Sequence, residues 1–403
     1  MTGGTWRQSA YHRNWLVGQA DRLFDFFQFR SRNPRGGFFD LDDSGAPTGT
    51  VRQLHATTRM VHCFAIGHLL GRPGADTIAD HGMRYLWQHH RDQRHGGYVW
   101  SLDDDAPRDS SKQAYGHAFV LLAASSAKCA GHPLADAMLA DITDVIETRF
   151  WEDAHGAVSE EYAQDWSPIS KYRGQNSNMH LTEALMAAFE ATGQDHYLRK
   201  AERIAGLIIK RHAANLGYRV CEHFDEDWNS DRGYRGSEIF RPAGTTPGHW
   251  LEWSRLLLQL WEVGGRKLAW LPEASAKLFR NSIELGWDKQ RGGFFYTLDW
   301  DNKPALPQKL WWPAAEGLGA AHYLAAHDGD PYYEEWYRRI WSFCSNHFID
   351  HVRGGWHPEL GEDLAPAHGF FTGKPDIYHA LQACLIPLYP STGGLTRVIA
   401  AGS

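Results

Sequence analysis

The sequence predicts an all-α protein, an (α/α)6 barrel built from six helix-hairpin repeats. Three observations carry that prediction. A glycine turn recurs at near-constant spacing, an amphipathic segment precedes it, and a segment apolar almost all round comes after it. The turn reads Gly36-Gly37-Phe38-Phe39-Asp40, Gly96-Gly97-Tyr98-Val99-Trp100 and Gly156-Ala157-Val158-Ser159-Glu160. It continues as Gly217-Tyr218-Arg219-Val220, Gly292-Gly293-Phe294-Phe295-Tyr296 and Gly354-Gly355-Trp356. The first glycines lie 60, 60, 61, 75 and 62 residues apart. An irregular α-solenoid is the alternative that the same repeats allow.

The segment before each turn is the outer helix of its unit. Residues 14–28 place Leu16, Ala20, Leu23, Phe24 and Phe27 at helical spacing, and residues 134–150 and 195–212 do likewise. After the turn comes a short extended stretch, then the inner helix. Inner helices are expected to start near Thr57-Thr58-Arg59, Ser110-Ser111-Lys112, Ser177-Asn178, Thr245-Thr246-Pro247, Trp312-Pro313 and Asp376. Ser, Thr, Asn and Asp cap the free N–H groups of a first turn, and Pro suits its first position. The bodies of these helices are rich in Ala and Leu, as in Ala118-Phe119-Val120-Leu121-Leu122-Ala123-Ala124. A helix apolar all round is buried. Six such units make an inner and an outer ring, read as one domain over residues 1–403.

Composition removes several classes. The chain has 403 residues, 43% hydrophobic and 22% charged, and no apolar run long enough for a membrane span. Met1-Thr2-Gly3-Gly4-Thr5-Trp6-Arg7 lacks the basic-then-apolar profile of a secretion signal. Five cysteines without a C-x-x-C pair argue against a disulfide framework or structural zinc, and point to the cytoplasm. A net charge of −7 without blocks of like charge gives no case for nucleic acid. The 18 tryptophans lean the other way, because aromatic faces suit the apolar C–H faces of sugar rings.

In such a barrel the inner helices run in one direction and their N-termini meet at one mouth. The chemistry-bearing residues sit there: Arg59 on the first inner helix, Tyr115 and His117 on the second, Asn176 and His180 on the third. His249 and Glu252 lie on the fourth, Glu316 on the fifth, Asp376 and His379 on the sixth. His249 and Glu252 are three apart and share a helical face, so Glu252 is expected to hold the imidazole in one tautomer. His-x-x-Glu is also a metal-ligand spacing, but no second carboxylate or histidine pair is evident at matched depth. No metal or other cofactor is expected. His89-His90 and His95 read as surface residues.

At these residues the chain resembles the N-acylglucosamine 2-epimerase superfamily. The closer likeness is to its aldose–ketose isomerase branch, which holds mannose and sulfoquinovose isomerases. The likeness is carried by Thr58-Arg59-Met60, Ser111-Lys112-Gln113-Ala114-Tyr115, Tyr172-Arg173-Gly174-Gln175-Asn176-Ser177-Asn178-Met179-His180 and Glu222-His223-Phe224-Asp225. Pro247-Gly248-His249-Trp250-Leu251-Glu252-Trp253 and Asp376-Ile377-Tyr378-His379 complete it. The resemblance implies cofactor-free proton transfer on a reducing monosaccharide, with His249 and His379 as the acid/base pair. Glu252 and His180 would assist, and Arg59, Tyr115, Asn176, Glu316 and Asp376 would bind or line.

Substrate choice turns on two departures. Where the sulfoquinovose-type branch has glutamines facing the sulfonate, this chain has Pro358 and Pro375, which offer neither a side-chain donor nor an N–H. That favours an uncharged sugar such as D-mannose, with D-lyxose beside it, giving the 2-ketose. A 2-epimerase producing glucose needs the same enediolate and remains the nearest alternative. Sulfoquinovose isomerisation, inverting glycoside hydrolysis by two of Glu252, Glu316 and Asp376, and silent sugar binding are the others.

Overall fold

The computed structural model describes residues 5–402, so Met1–Gly4 of the stretch read for a leader, and Ser403, lie outside the described residues. In chain order the barrel helices are α1 (Ala10–Arg30), α2 (Leu54–Leu69), α3 (Ala75–Tyr85), α4 (Ala114–Cys129), α5 (Ala135–Val145) and α6 (Gln175–Thr192). Next come α7 (Asp195–Ala205), α8 (Pro247–Val263), α9 (Trp270–Asn281), α10 (Trp311–Asp328), α11 (Pro331–Phe343) and α12 (Tyr378–Leu385). Odd-numbered helices form the outer ring and even-numbered helices the inner ring of an (α/α)6 barrel, with α12 packing back onto α2.

The burial patterns agree with the sequence. Outer helix α7 buries Tyr197, Ala201, Ile204 and Ala205, one stripe only, whereas inner helix α4 buries every residue from Ala114 to Ala127. All six leading glycines of the turns stand at positive φ. After each turn the chain runs extended and pairs with the residues just before the preceding unit's inner helix. Val51–Gln53 pairs with Ser101–Asp103, Lys112–Gln113 with Glu161–Tyr162, and Arg173–Gly174 with His223–Phe224. Thr245 bridges Leu298, Lys309–Leu310 pairs with Glu359–Leu360, and Lys374 bridges Leu41, which closes the circle. Gly373 makes that closure possible: its φ is +74°, and a Cβ there would lie 1.9 Å from the Leu41 carbonyl oxygen.

Two expected starts hold: α8 opens with Pro247 after Thr246, and Asp376 Oδ1 accepts the Tyr378 N–H that opens α12 (3.0 Å), while the other expected caps are corrected by this ring. The inner helices begin after Gln53, Gln113, Gly174, Thr246, Leu310 and Ile377, and none of these caps through its side chain. The leading N–H goes to the neighbouring unit instead: Leu54 donates to the Trp100 carbonyl (2.9 Å), Ala114 to Glu160 (2.9 Å), Gln175 to Glu222 (3.1 Å) and Trp311 to Pro358 (3.2 Å). Two histidine expectations are corrected as well. His90 is fully buried, and its Nδ1 lies 3.0 Å from the Val99 carbonyl oxygen. His117 is committed to the scaffold, between the Gln113 carbonyl (2.7 Å) and the Tyr98 N–H (3.0 Å). No helix among the described residues is long and apolar enough to cross a membrane.

A buried ion pair recurs between the strand before an inner helix and the start of the same unit's glycine turn. It joins Lys112 to Asp92 (2.9 Å), Lys309 to Asp288 (3.1 Å) and Lys374 to Asp350 (2.6 Å). Lys112→Met strands the Asp92 carboxylate and is expected to cost about 3 kcal/mol in urea unfolding. Burial pushes the Asp92 carboxyl up, but Lys112 and the N–H groups of His95 and Arg94 hold it at about 2. Its folded value is thus depressed, so the stability it contributes is present above the ordinary 3.8 and is lost as pH falls towards 2.

Candidate active site

The N-terminal ends of the inner helices surround a cavity of about 690 Å³. Arg59, Tyr115, Asn176, His180, His249, Glu252, Asp376 and His379 all line it, and Glu316 stands one layer behind. The repeat explains the convergence. Arg59, Phe119, His180, Glu252 and Glu316 are each the sixth residue of consecutive inner helices. The first four form a continuous row. Arg59 lies 4.4 Å over the Phe119 ring, Phe119 stands 4.7 Å from the His180 ring, and His180 Nδ1 is 3.4 Å from Glu252 Oε1.

The histidine assignments change at one point. Glu252 does not hold the His249 ring; Glu222 does, with Oε2 2.8 Å from His249 Nδ1. Glu252 shares a helical face with His249 but sits one turn deeper, towards His180 and Arg255. Glu222 arrives on the extended chain before the fourth inner helix. Its Oε1 accepts the N–H of Thr246, the residue just before α8 (3.2 Å), and its Oε2 accepts from Gln175 Nε2 (2.7 Å). Gln175 is fixed in turn by the Trp253 Nε1–H (2.7 Å). Burial raises the pKa of Glu222, but His249 wins and holds it below the ordinary carboxylate value. An ionised carboxylate only accepts, so Nδ1 carries the proton and Nε2 faces the cavity with its lone pair when the ring is neutral.

His379 repeats this arrangement. Its Nδ1 lies 2.8 Å from Glu316 Oε1, and Glu316 Oε2 accepts from Arg255 Nε at 2.8 Å. Glu316, expected as a sugar-binding group, is therefore the orienting carboxylate of a second histidine. Between the pairs stands Trp312, its ring 5.0 Å from His249 and 6.1 Å from His379. Gly248 allows this, since a Cβ there would come within 2.5 Å of the Trp312 ring.

The remaining residues set the field. Arg59 spends Nη1 on Asp376 Oδ2 (2.8 Å) and Nη2 on the Tyr115 hydroxyl (2.9 Å). Despite burial, Asp376 and Tyr115 keep this guanidinium firmly charged. Asp376 also accepts the Tyr378 N–H at 3.0 Å, so it is tied to the wall more than offered to a ligand. Burial, then the nearby Arg59, hold His180 well below the ordinary histidine pKa and hence neutral at pH 7. Asn176 lines the cavity, and its Oδ1 is buried without a hydrogen bond.

Sequence reasoning missed Glu222, Gln175 and Trp312, although the first two lie inside stretches that carried the resemblance. It also found no carboxylate to complete a metal site, yet Glu183 reaches the required depth. His180, Glu183 and Glu252 each bring a ligand atom within 4.8 Å of the others. Arg255 already meets those carboxylates, with Nη1 3.1 Å from Glu183 and Nη2 3.8 Å from Glu252, so a cation is built into the cluster.

Comparison with known proteins agrees with this geometry. The family model of N-acylglucosamine 2-epimerase (GlcNAc 2-epimerase) matches residues 36–383. A D-mannose isomerase of Pseudomonas cannabina pv. alisalensis is 41% identical, over 99% of this chain and 98% of its own. One of Thermobifida fusca is 42% identical over 98% of each. A crystal structure of D-mannose isomerase superposes with a TM-score of 0.88 at 35% identity, covering 93% of this chain and 97% of that one. With the barrel, the paired histidines and a match spanning most of its length, the chain belongs to the N-acylglucosamine 2-epimerase family.

Proposed function

We propose that this protein is an aldose–ketose isomerase that interconverts D-mannose and D-fructose, and D-lyxose and its ketose, without a metal. The observation that carries the reading is the pair of histidines, each fixed at Nδ1 by a buried glutamate and each lining one cavity. On the ring-opened sugar the C1 aldehyde acidifies the C2 proton. His379 Nε2 removes it to leave a cis-enediolate and returns it to C1, while His249 moves the hydroxyl proton from O2 to O1 and assists ring opening. Atoms balance, and no oxidant is needed. Arg59 and neutral His180 stabilise the enediolate oxygens, Asn176 and Tyr115 orient hydroxyls, and Glu252 serves the same acid/base set.

The charges favour a neutral sugar. Both cationic side chains lining the cavity are already ion-paired, Arg59 with Asp376 (2.8 Å) and Lys374 with Asp350 (2.6 Å), so neither is a full counter-charge for an anionic sugar, and Asp40, Asp42 and Asp43 also line the cavity. Pro358 and Pro375 both line the cavity, where they offer no donor. The same reading takes residues 1–403 as one domain. Its five cysteines, all free, support a reducing, cytoplasmic setting.

Proton NMR of the EDTA-treated enzyme with D-mannose in deuterated buffer tests the proposal. Fructose is expected, at a rate that EDTA does not change. Glucose labelled at C2 would establish a 2-epimerase instead. Inhibition by EDTA that a divalent ion reverses would overturn the metal-free mechanism. D-mannose 6-phosphate is expected to be neither substrate nor competitive inhibitor.

A further inference from the structure

Beneath the cavity the inner helices hold a charge cluster of which only Glu252 reaches the lining. Arg255, on α8 one turn after Glu252, is 1% exposed. Its Nε donates to Glu316 Oε2 (2.8 Å), and its Nη1 donates to Glu183 Oε1 (3.1 Å) and Gln259 Oε1 (2.9 Å). Its Nη2 stands 3.8 Å from Glu252 Oε1, and neither atom has a hydrogen bond. One guanidinium thus faces three carboxylates. Glu252 and Glu316 are buried and Glu183 is half-buried, and crowded like charges out of water favour a proton on one of them.

Geometry chooses which. Glu316 accepts two hydrogen bonds, from Arg255 and from the His379 ring. Glu183 also accepts two, from Arg255 and from the Tyr378 hydroxyl. Glu252 has only the 3.8 Å approach of Nη2 and a 3.4 Å contact with His180 Nδ1. We propose that Arg255 is a positioning residue of the isomerisation: by bonding Glu316 while only grazing Glu252, it keeps Glu316 an ionised acceptor for the His379 Nδ1–H and leaves Glu252 a carboxylic acid. His379 Nε2 is thereby held as the basic nitrogen, and the cavity floor gains a neutral proton donor.

Arg255 and Arg59 favour ionisation of Glu252, and burial together with Glu316 and Glu183 outweighs them. Glu316 is faced by Arg255 and Glu252 from α8 and by His379 and Tyr378 from α12. Glu252 is faced by His180 and Glu183 from α6, Arg59 from α2, Tyr115 from α4, Glu316 from α10 and Tyr378 from α12. Burial, then Glu316, push the Glu252 carboxyl well up, whereas Arg255 and His379 overcome burial to hold Glu316 down.

This inference rests on the isomerase reading, and its test separates the two. Full-length Arg255→Met, Arg255→Lys, Glu316→Gln and the Arg255→Met/Glu316→Gln double variant are assayed for kcat and KM on D-mannose across pH, with thermal melts beside them. Arg255→Met is expected to lower kcat about a hundredfold. KM should stay within about threefold, because the lost interaction is not with substrate. The acid limb of the kcat profile should move, and Arg255→Lys should recover much of the loss. In the Glu316→Gln background Arg255→Met should cost less than about twofold, since both act through one carboxylate. A folded Arg255→Met with the wild-type kcat profile, a loss confined to KM, or full multiplicative losses in the double variant would each overturn the proposal. If Arg255→Met unfolds because buried Glu252 and Glu316 lose their counter-charge, the kcat–pH profile of Arg255→Lys decides: an acid limb that moves in Arg255→Lys and not when Glu316→Gln is added supports the proposal, and an unmoved limb overturns it. A wild type that makes no fructose overturns the isomerase reading and this inference together. A wild type that isomerises, matched by its Arg255 variants, overturns this inference alone.

Discussion

His379→Ala is expected to lower kcat on D-mannose at least about a thousandfold while the protein stays folded. The imidazole is the group assigned to carry the C2 proton, and the neighbouring Asp376 is engaged by Arg59 and the Tyr378 N–H. Its removal does not strand a buried charge, because Glu316 keeps the 2.8 Å hydrogen bond from Arg255 Nε. The melting temperature should therefore fall by only a few degrees, the scale of one lost buried hydrogen bond. Exchange separates the roles of the two histidines. In deuterated buffer His379→Ala should lose both fructose formation and any exchange of the C2 proton. Loss of turnover with C2 exchange retained would transfer the base role to His249. More than a few per cent of wild-type turnover would remove His379 from the chemistry.

The parts of this molecule that were legible in the sequence are the local ones. Glycine turns with positive φ, one-sided outer helices such as α7 and all-apolar inner helices such as α4 are written in short windows, and the barrel arises from their repetition. The gathering of the candidate residues at one mouth was legible for the same reason, since equivalent positions of a repeat reach equivalent depths. Contacts made between repeats were not. Ser and Thr near the inner-helix starts suggested side-chain caps, but four of the six leading residues donate to carbonyls some 46 to 47 residues further on, as Leu54 does to Trp100 and Gln175 to Glu222. The same blindness exchanged two glutamates. An i, i+3 spacing was the only proximity a linear reading could offer His249, and it selected Glu252; the actual partner lies 27 residues upstream and is brought in by strand pairing.

That exchange yields a second large effect. Glu222→Gln is expected to lower kcat by about a hundredfold or more, with KM little changed. The amide is isosteric, and its oxygen can still accept from the Thr246 N–H that Glu222 now takes at 3.2 Å, so the start of α8 should survive. The sense of the bond to His249 is what changes. A carboxylate only accepts, and therefore requires a proton on Nδ1; an amide can present N–H to that nitrogen and reverse the tautomer, leaving Nε2 protonated where a lone pair is needed. Ring-nitrogen shifts of 15N-labelled histidine report this directly. The His249 signal should move to the other tautomer in Glu222→Gln and stay in place in Glu252→Gln, whatever the latter does to turnover. The reverse pattern would return the orienting role to Glu252. A kcat unaffected by Glu222→Gln would mean that His249 is not the group relaying protons between the sugar oxygens, because a relay needs one nitrogen free to accept, and only the charge on Glu222 guarantees which one that is.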